Sequence, residues 1–424
     1  MMNQQAAPSW MAKWLDTHFA HSPLTPPAHP MVDAVIDGID GRKIVIGEHE
    51  LIDFASCNYL GLDLNSQVQA SILPLVRQWG THPSWSRMLG TPTPYRDIER
   101  ELTALTQAPD ILAFPTITHI HLSVIPFLSG TGAIYLDSRA HKTIYEGCKA
   151  AQGQGATLIR FKHNDADELE RLLASSSVPP RLICMDGVNS MTGNLPDLVR
   201  FAEIARRWNL ILYVDDAHGF GLIGENPDGE MPWGYKGNGI VRHYGLSYDN
   251  ILLVAGLSKS YSSLLAFMAL PTVLKEMIKV AASPYLYSGP SPVASLATTL
   301  SGLAVNAQRG EELRRDLHQM CRQLLKGLAD LDIFTLNNSE LPIMEIPLKD
   351  PRQIMELGSY LFERGVYVTL ALYPLVPKKE VGFRVQLTAA NNPDQVRHLL
   401  AVLAESTTRF EFYSCTDNVN QGAG

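Results

Sequence analysis

The stretch Leu252-Leu-Val-Ala-Gly-Leu-Ser-Lys-Ser-Tyr-Ser-Ser263 decides how the rest of the chain is interpreted. An apolar, strand-like run ends abruptly at Ser258-Lys259-Ser260, where hydroxyl groups and no carboxylates flank the lysine. Solubility gives no reason to place a lysine at the end of a buried strand. A lysine held in a pocket has a lowered pKa and can act as a nucleophile or a base. The stretch therefore predicts a reactive lysine.

Runs of apolar residues that end in a polar residue recur along the chain. Such runs are typical of strands covered on both faces of a sheet. Amphipathic patterns lie between them, as in Pro196–Asn209, which predicts a helix. This alternation predicts an α/β fold with a mostly parallel central sheet flanked by helices. The predicted strands are Ala133–Asp137, Thr157–Phe161, Arg181–Asp186, Leu210–Asp215 and Ile251–Ala255.

The chain divides into three predicted segments. Residues 1–50, which contain the Pro-rich piece SPLTPPAHP, are expected to form an N-terminal arm. Residues 51–290 are expected to form a large domain, and residues 291–424 a smaller α+β domain with a frayed tail. In the smaller domain the sequence predicts helices at Glu311–Asp330 and after Pro393, and strands at Leu341–Leu348 and Val381–Leu387.

Composition excludes several classes of partner. With 46% hydrophobic and 18% charged residues, the 424-residue chain is ordinary for a globular protein. The net charge of −8 argues against a nucleic-acid or anionic-membrane partner. The five cysteines are scattered and form no C-x-x-C pair, which favours reduced thiols. Neither a secretory signal nor an apolar run of the ~20 residues that span a bilayer is found, so a cytoplasmic location is predicted.

Two chemistries are open for the residues at the strand ends. Ligands bind at the carboxyl ends of parallel strands, so Asp137, Asp186, Asp215-Asp216 and Lys259 should share one edge of the sheet. His218 follows Asp215 at D-x-x-H spacing, and this cluster could bind a metal if His119 and His121 lay on one face of a strand. No further carboxylate-rich motif supports a metal. Alternatively, Lys259 and Asp215 are the lysine and the carboxylate that a pyridoxal cofactor requires.

Six motifs resemble those of the α-oxoamine synthases, a family of fold-type-I pyridoxal-phosphate enzymes. The similarity extends from about Asp40 to about Leu403. The motifs are Asn58-Tyr-Leu-Gly-Leu62, Arg160-Phe-Lys-His-Asn-Asp165, Asp186-Gly-Val-x-Ser190-Met-x-Gly193, Val214-Asp-Asp-Ala-His-Gly219, Leu257-Ser-Lys-Ser260 and Arg384-Val-x-Leu-Thr-Ala-Ala390.

The resemblance implies a role for each matching residue. Lys259 would be the Schiff-base lysine and the base at Cα, and Asp215 the partner of the ring nitrogen. Ser190 and His218 would contact the phenolic oxygen, and His141 would stack on the ring. Arg384 would bind the substrate carboxylate. The family is dimeric with shared sites, so a homodimer is expected in which the partner's Tyr287-Ser288-Gly289 segment reaches the phosphate.

This chain departs from the family pattern around the phosphate and the substrate. Thr116-Ile117-Thr118 replaces the usual Ser-Gly-aromatic sequence. Gly256 stands where the family has a hydroxyl residue, and Ser258 or Ser260 could supply the hydroxyl instead. Cys57-Asn58 stands where the family has asparagine and aspartate, so both are candidate substrate-binding residues. Tyr95 replaces a histidine, and an insertion lies between His218 and Lys259. These departures predict a specialised relative.

The resemblance implies the decarboxylative condensation of an α-amino acid with an acyl thioester, delivered by CoA or an acyl carrier protein. The products would be an α-aminoketone, CO2 and a free thiol, and the cofactor would be pyridoxal 5'-phosphate. Transamination or aldol cleavage with the same cofactor remains an alternative. A metal-dependent hydrolase and a non-catalytic relative are the alternatives from other classes.

Overall fold

In the computed structural model, residues 9–19 and 29–417 are described. Within them lie fourteen strands and fourteen α-helices. The strands are β1 Gly38–Asp40, β2 Lys43–Ile46, β3 His49–Asp53, β4 Asp110–Phe114, β5 Ala133–Asp137, β6 Thr157–Phe161, β7 Pro180–Asp186, β8 Ile211–Asp215, β9 Ile251–Gly256, β10 Ala266–Leu270, β11 Ile343–Pro347, β12 Val366–Tyr367, β13 Thr369–Ala371 and β14 Gly382–Gln386. The helices are α1 Ser9–Phe19, α2 Ser66–Ala70, α3 Ile72–Trp79, α4 Thr93–Thr106, α5 Ile117–Ser129, α6 Lys142–Gly153, α7 Ala166–Ser175, α8 Leu198–Arg207, α9 Ile240–His243, α10 Thr272–Ala281, α11 Ser283–Leu286, α12 Val293–Asp330, α13 Ile354–Glu363 and α14 Pro393–Ser406.

The central sheet has seven strands in the order β4-β10-β9-β8-β7-β5-β6. Strand β10 runs antiparallel to both of its neighbours, and the pairs among β9, β8, β7, β5 and β6 are parallel. Every residue of β5, β9 and β10 is buried, as expected for strands with helices on both faces. The predicted α/β fold with a mostly parallel sheet is confirmed, and each of the five predicted strands is present.

Two smaller sheets complete the architecture. Strands β11, β14 and β13 form an antiparallel sheet. Strands β1, β2 and β3 form a meander whose last strand pairs in parallel with β12. The composition of residues 1–50 predicts an irregular segment, but residues 38–50 contain β1, β2 and the start of β3, so that prediction is wrong there. Most of SPLTPPAHP lies outside the described residues. The proposed domain boundaries remain a prediction.

The C-terminal region differs from prediction in two places. Helix α12 begins at Val293, well before the predicted Glu311, because residues 293–305 are small or apolar and about half of them are buried. The tail is not frayed up to residue 417: Phe412 forms a β-bridge with Leu348, and Asp417 pairs with Lys349. Among residues 9–19 and 29–417, no helix combines the length and the apolar character needed to cross a membrane.

Candidate active site

The carboxyl edge of the central sheet brings the reactive residues together. Asp186 at the end of β7 is in register with Asp215 at the end of β8. Strand β9 ends at Gly256, and the turn after it places Lys259 within electrostatic range of both carboxylates. The expected convergence at one edge is confirmed for Asp186, Asp215 and Lys259.

Asp215 is buried and held by two donors. Its Oδ1 accepts a hydrogen bond from the Ala217 N–H at 3.0 Å, and its Oδ2 lies 2.9 Å from Nε2 of His121. Burial alone would raise the pKa of this carboxyl. The hydrogen bond from His121 and the positive charge of Lys259 outweigh burial, so the pKa is lowered. Asp215 is therefore an ionised acceptor in a dry environment.

His119 and His121 lie on helix α5, so they do not share the face of a strand, which the metal alternative requires. Thr116 begins this helix, because its side chain accepts the His119 N–H at 3.3 Å. His121 is fully buried, and its Nδ1 lies 2.8 Å from the Tyr213 hydroxyl. Within the described part of the chain, no three His, Cys, Asp or Glu side chains are grouped so as to hold a metal ion.

Asp216, the other carboxylate of the D-D-x-H motif, holds the insertion in place. Its Oδ2 accepts the Ile240 N–H at 2.8 Å, at the start of the short helix α9. Gly219 faces the same side chain so closely that a Cβ there would lie 2.1 Å from Asp216 Oδ1. The Asp216 pKa is raised well above its ordinary value, chiefly by burial. Asp216 therefore has a structural role, because it connects the D-D-x-H motif to the insertion.

His218 is the end of a directed chain of hydrogen bonds. The Gln386 side-chain amide donates to the Tyr59 hydroxyl at 3.2 Å, and that hydroxyl lies 2.8 Å from His218 Nδ1. Because the tyrosine oxygen accepts from Gln386, its O–H can donate to Nδ1, which leaves Nε2 of a neutral His218 as a donor. Burial, reinforced by the charges of Lys259 and Arg384, lowers the His218 pKa well below its ordinary value.

Lys259 is half-buried, and burial lowers its pKa. The negative charge of Asp215 opposes this shift only in part, and Arg384 adds to it. A lysine with a lowered pKa has a larger neutral fraction, which is the form that attacks a carbonyl or accepts a proton. This electrostatic setting agrees with the reactive lysine that the sequence predicts.

Arg384 on β14 reaches the loop that follows β7. Its guanidinium donates to the backbone carbonyl of Ser190 at 2.6 Å, while its buried Nε has no partner among the described residues. The C-terminal sheet and the central sheet thus meet at this pair. An arginine with an unused donor beside Lys259 can accept a carboxylate ligand.

A backbone hydrogen bond joins His141 to Asp186. His141 begins helix α6, and its backbone N–H donates to Asp186 Oδ1 at 3.0 Å. Its ring is exposed, yet the surrounding protein removes enough water to lower its pKa; the charge of Asp215 opposes this shift and that of Lys259 adds to it. Burial and the charge of Asp215 raise the Asp186 pKa well above its ordinary value.

The remaining candidate residues lie in different surroundings. Thr116, Ile117 and Thr118 form the half-buried start of α5, where free backbone N–H groups suit an anion. Ser258 is exposed.

The two candidate substrate-binding residues make different contacts. Cys57 Sγ accepts a hydrogen bond from the Gln386 amide at 2.8 Å, whereas the Asn58 amide donates to Asp63 at 3.1 Å. No hydrogen bond in the described residues joins Ser288 to the other candidates; its hydroxyl donates to the Gly289 carbonyl.

Sequence reasoning missed the buried polar residues that support the site. Tyr59 is inside the quoted Asn58–Leu62 motif, and Tyr213 is two residues before Asp215 on the same strand, so alternation could have placed it on the same face. For His121, the signal was Thr116, a residue type that often begins helices.

Comparisons with known proteins agree with this geometry. The family model described as aminotransferase class I and II matches residues 49–403, so the chain belongs to that family. An 8-amino-7-oxononanoate synthase from Pseudomonas putida is 34% identical over 381 residues, which cover 89% of this chain and 93% of that protein.

Solved structures of similar fold agree with these sequence comparisons. A structure of SPT with PLP is 25% identical, with a TM-score of 0.82 over 94% of this chain and 95% of that one. The serine palmitoyltransferase of Sphingomonas wittichii is 24% identical, with a TM-score of 0.82 over 94% and 97% of the two chains, which shows the shared fold. The resemblance to α-oxoamine synthases is confirmed.

Beneath Arg384 lies a buried carboxyl whose effect on stability can be tested. Glu345 on β11 is directly opposite Arg384 in the register, is fully buried, and has no hydrogen-bond partner for either carboxyl oxygen among the described residues. Burial and the charge of Glu380 raise its pKa to about 8, although Arg139 and Arg384 oppose the shift.

We expect Glu345→Gln to change how stability depends on pH. The folded state binds this proton more tightly than the unfolded state, so the free energy of unfolding falls as pH rises from the ordinary value of 4.5 to about 8. Glu345→Gln should match the wild type at about pH 5 and exceed it at about pH 8.5 by on the order of a few kcal/mol. Chemical denaturation at both pH values measures this, with exposed Glu363→Gln as the control. An equal difference at both pH values would contradict the prediction.

Proposed function

We propose that this protein is a pyridoxal-phosphate-dependent acyltransferase that condenses an α-amino acid with an acyl thioester. The products are an α-aminoketone, CO2 and the free thiol. One observation carries the proposal: Lys259, with a lowered pKa, lies at the sheet edge within electrostatic range of the ionised Asp215 and of Arg384. The relatives named 8-amino-7-oxononanoate synthase support the reaction type.

The residues present fit the cofactor. The start of α5 at Thr116-Ile117-Thr118, with Ser258, supplies N–H and O–H donors for the phosphate. Asp215 is an ionised acceptor for the ring nitrogen, and the Nε2–H of His218, together with Ser190, would face the phenolic oxygen. His141 would cover the ring. When bound, the cofactor supplies an electron sink for negative charge that develops at Cα of the substrate.

Arg384 and Lys259 would act on the amino acid itself. The guanidinium has unused donor capacity at Nε, and a planar fork binds a carboxylate with two hydrogen bonds. This contact would orient Cα toward Lys259. In this arrangement the Lys259 amine would accept the Cα proton, and its lowered pKa enlarges the neutral fraction that can do so.

The proposal is tested by cofactor binding and by the requirement for both substrates. Protein reconstituted with pyridoxal phosphate is incubated with each of the twenty amino acids, with and without an acyl-CoA or an acyl carrier protein thioester. We expect CO2 and free thiol in equal amounts, only when both substrates are present. Amino-group transfer to a 2-oxo acid without thioester would identify an aminotransferase. A protein that binds no pyridoxal phosphate would refute the proposal.

We also propose that the protein is a homodimer with shared sites. Helix α10 exposes an apolar face on which Val273, Met277 and Val280 are 72%, 50% and 64% exposed. Tyr287, in the segment expected to reach the phosphate of the partner, is 83% exposed. A second copy of the chain would cover this face, which is otherwise costly to leave in water.

The double variant Val273→Glu/Val280→Glu should be monomeric, because it places two charges in the apolar contact. Light scattering after size-exclusion chromatography measures the mass, and a fluorescence titration measures cofactor affinity. We expect the affinity for the cofactor to fall when dimerisation is lost, because Ser288 would no longer reach the neighbouring site. Val35→Glu is the control, since Val35 is 74% exposed and is not part of helix α10. A dimeric double variant would argue against this interface.

A further inference from the structure

One buried contact between α5 and β8 is not accounted for by the roles proposed above. His121 is 0% exposed, and its ring nitrogens lie 2.8 Å from the Tyr213 hydroxyl and 2.9 Å from Asp215 Oδ2. Tyr213 and Asp215 are two residues apart on β8, so both side chains leave the strand on the same face. The three side chains form one continuous chain of hydrogen bonds that ends at the carboxylate.

The direction of these hydrogen bonds follows from burial. Tyr213 is fully buried, and His121 Nδ1 is the partner recorded for its hydroxyl among the described residues. A buried hydroxyl hydrogen without an acceptor is costly, so the Tyr213 O–H donates to Nδ1. Nδ1 then carries no proton in the neutral ring, and Nε2 must carry it. Nε2–H therefore donates to Asp215.

The consequence for Asp215 is that both oxygens are met by donors. Oδ1 accepts from the Ala217 N–H, and Oδ2 accepts from His121. The opposite tautomer of His121 would turn a lone pair toward Oδ2 and would favour a protonated Asp215. The Tyr213 hydroxyl disfavours that tautomer. The lowered pKa of Asp215, to which the hydrogen bond from His121 contributes, agrees with this arrangement.

We propose that Tyr213 and His121 are positioning residues that keep Asp215 ionised and aimed as the acceptor for the ring nitrogen of the cofactor. This inference rests on the proposed function, because it assigns a role toward the same cofactor. A purely structural role for the pair is the competing explanation. Such a role would affect folding and leave the protonation of the ring nitrogen unchanged.

The test reads the ring nitrogen directly. Wild type and variants are reconstituted with pyridoxal phosphate that carries ¹⁵N in the ring, and the ¹⁵N chemical shift is measured at neutral pH. We expect the wild-type resonance in the range of a protonated pyridine. His121→Leu should move it toward the unprotonated range, and Tyr213→Phe should move it less far in the same direction. His121→Gln retains an N–H donor and should lie closer to the wild type than His121→Leu.

Two controls separate this role from a general loss of structure. Tyr244→Phe loses a tyrosine hydrogen bond to the Pro196 carbonyl outside the site and should leave the resonance unchanged. The melting temperature of each cofactor-free variant reports folding independently. Cofactor affinity should fall about tenfold in Tyr213→Phe, the loss expected from one hydrogen bond near a charged group.

Each outcome has a definite meaning. An unshifted resonance in Tyr213→Phe, the variant that best preserves shape, would overturn the inference while the proposed function stands. A wild-type resonance in the unprotonated range would overturn it in the same way. A wild-type protein that binds no labelled cofactor would overturn the proposed function, and this inference with it.

Discussion

Lys259→Ala should abolish product formation, with a loss of about 10⁴-fold or more in the rate of condensation. The substitution removes both the covalent attachment point of the cofactor and the proposed base at Cα, and general base catalysis alone contributes about 10²–10⁴-fold. The rate of thiol release from the acyl thioester in the presence of the amino acid measures the effect. Reduction of the reconstituted protein with borohydride, followed by peptide mass analysis, should locate the cofactor on the peptide that contains Lys259.

Lys326→Ala is the matched control. Lys326 lies on the surface of α12, where it pairs with Asp330 at 2.6 Å, and its loss should change neither the rate nor the labelled peptide. Cofactor mass on a different lysine of the wild type, or near-normal turnover by Lys259→Ala, would assign the chemistry to another residue.

Arg384→Ala should raise the KM for the amino acid by roughly 10²–10³-fold. The removal of one partner from a desolvated charge pair costs about 2–5 kcal/mol, and each 1.4 kcal/mol is a factor of ten. Steady-state kinetics at saturating acyl thioester, with the amino acid varied, measure this change. Arg384→Lys should recover only part of the affinity, because an ammonium group cannot form the planar fork.

The KM for the acyl thioester distinguishes a specific effect from a general one. If Arg384 binds the amino-acid carboxylate, that second KM should change little in Arg384→Ala. Equal losses for both substrates would indicate that the Arg384–Ser190 contact between the two sheets has been disturbed instead. An unchanged KM for the amino acid would exclude the proposed role.

The strands that carry the site could be predicted because their signal is local. Strand β8 is apolar until Asp215, and strand β9 is apolar until the turn that precedes Lys259, so composition alone indicates both burial and the point where burial ends. The motifs then assign candidate roles to the residues that follow. Those roles remain predictions, although the electrostatic surroundings of Lys259 and Asp215 agree with them.

The supporting residues could not be predicted because their partners are distant in the sequence. The alternation of His119 and His121 is compatible with a strand, but Thr116 begins a helix there. The hydrogen bond between Gln386 and Tyr59 joins the two ends of the chain. Glu345 gave no signal, since a carboxyl buried without a partner contradicts the usual preference of Glu for water.

The parallel pairing of β3 with β12 has a consequence for biosynthesis. Ile52 pairs with Val366, more than 300 residues later in the sequence. A nascent chain cannot close this sheet until residues 366 and 367 have left the ribosome, and until then one edge of β3 offers unpaired backbone groups to other chains. Sequence-distant pairings of this kind form slowly. Strand β3 pairs early with β2 but meets β12 only much later, and protection by a chaperone would matter most during that delay.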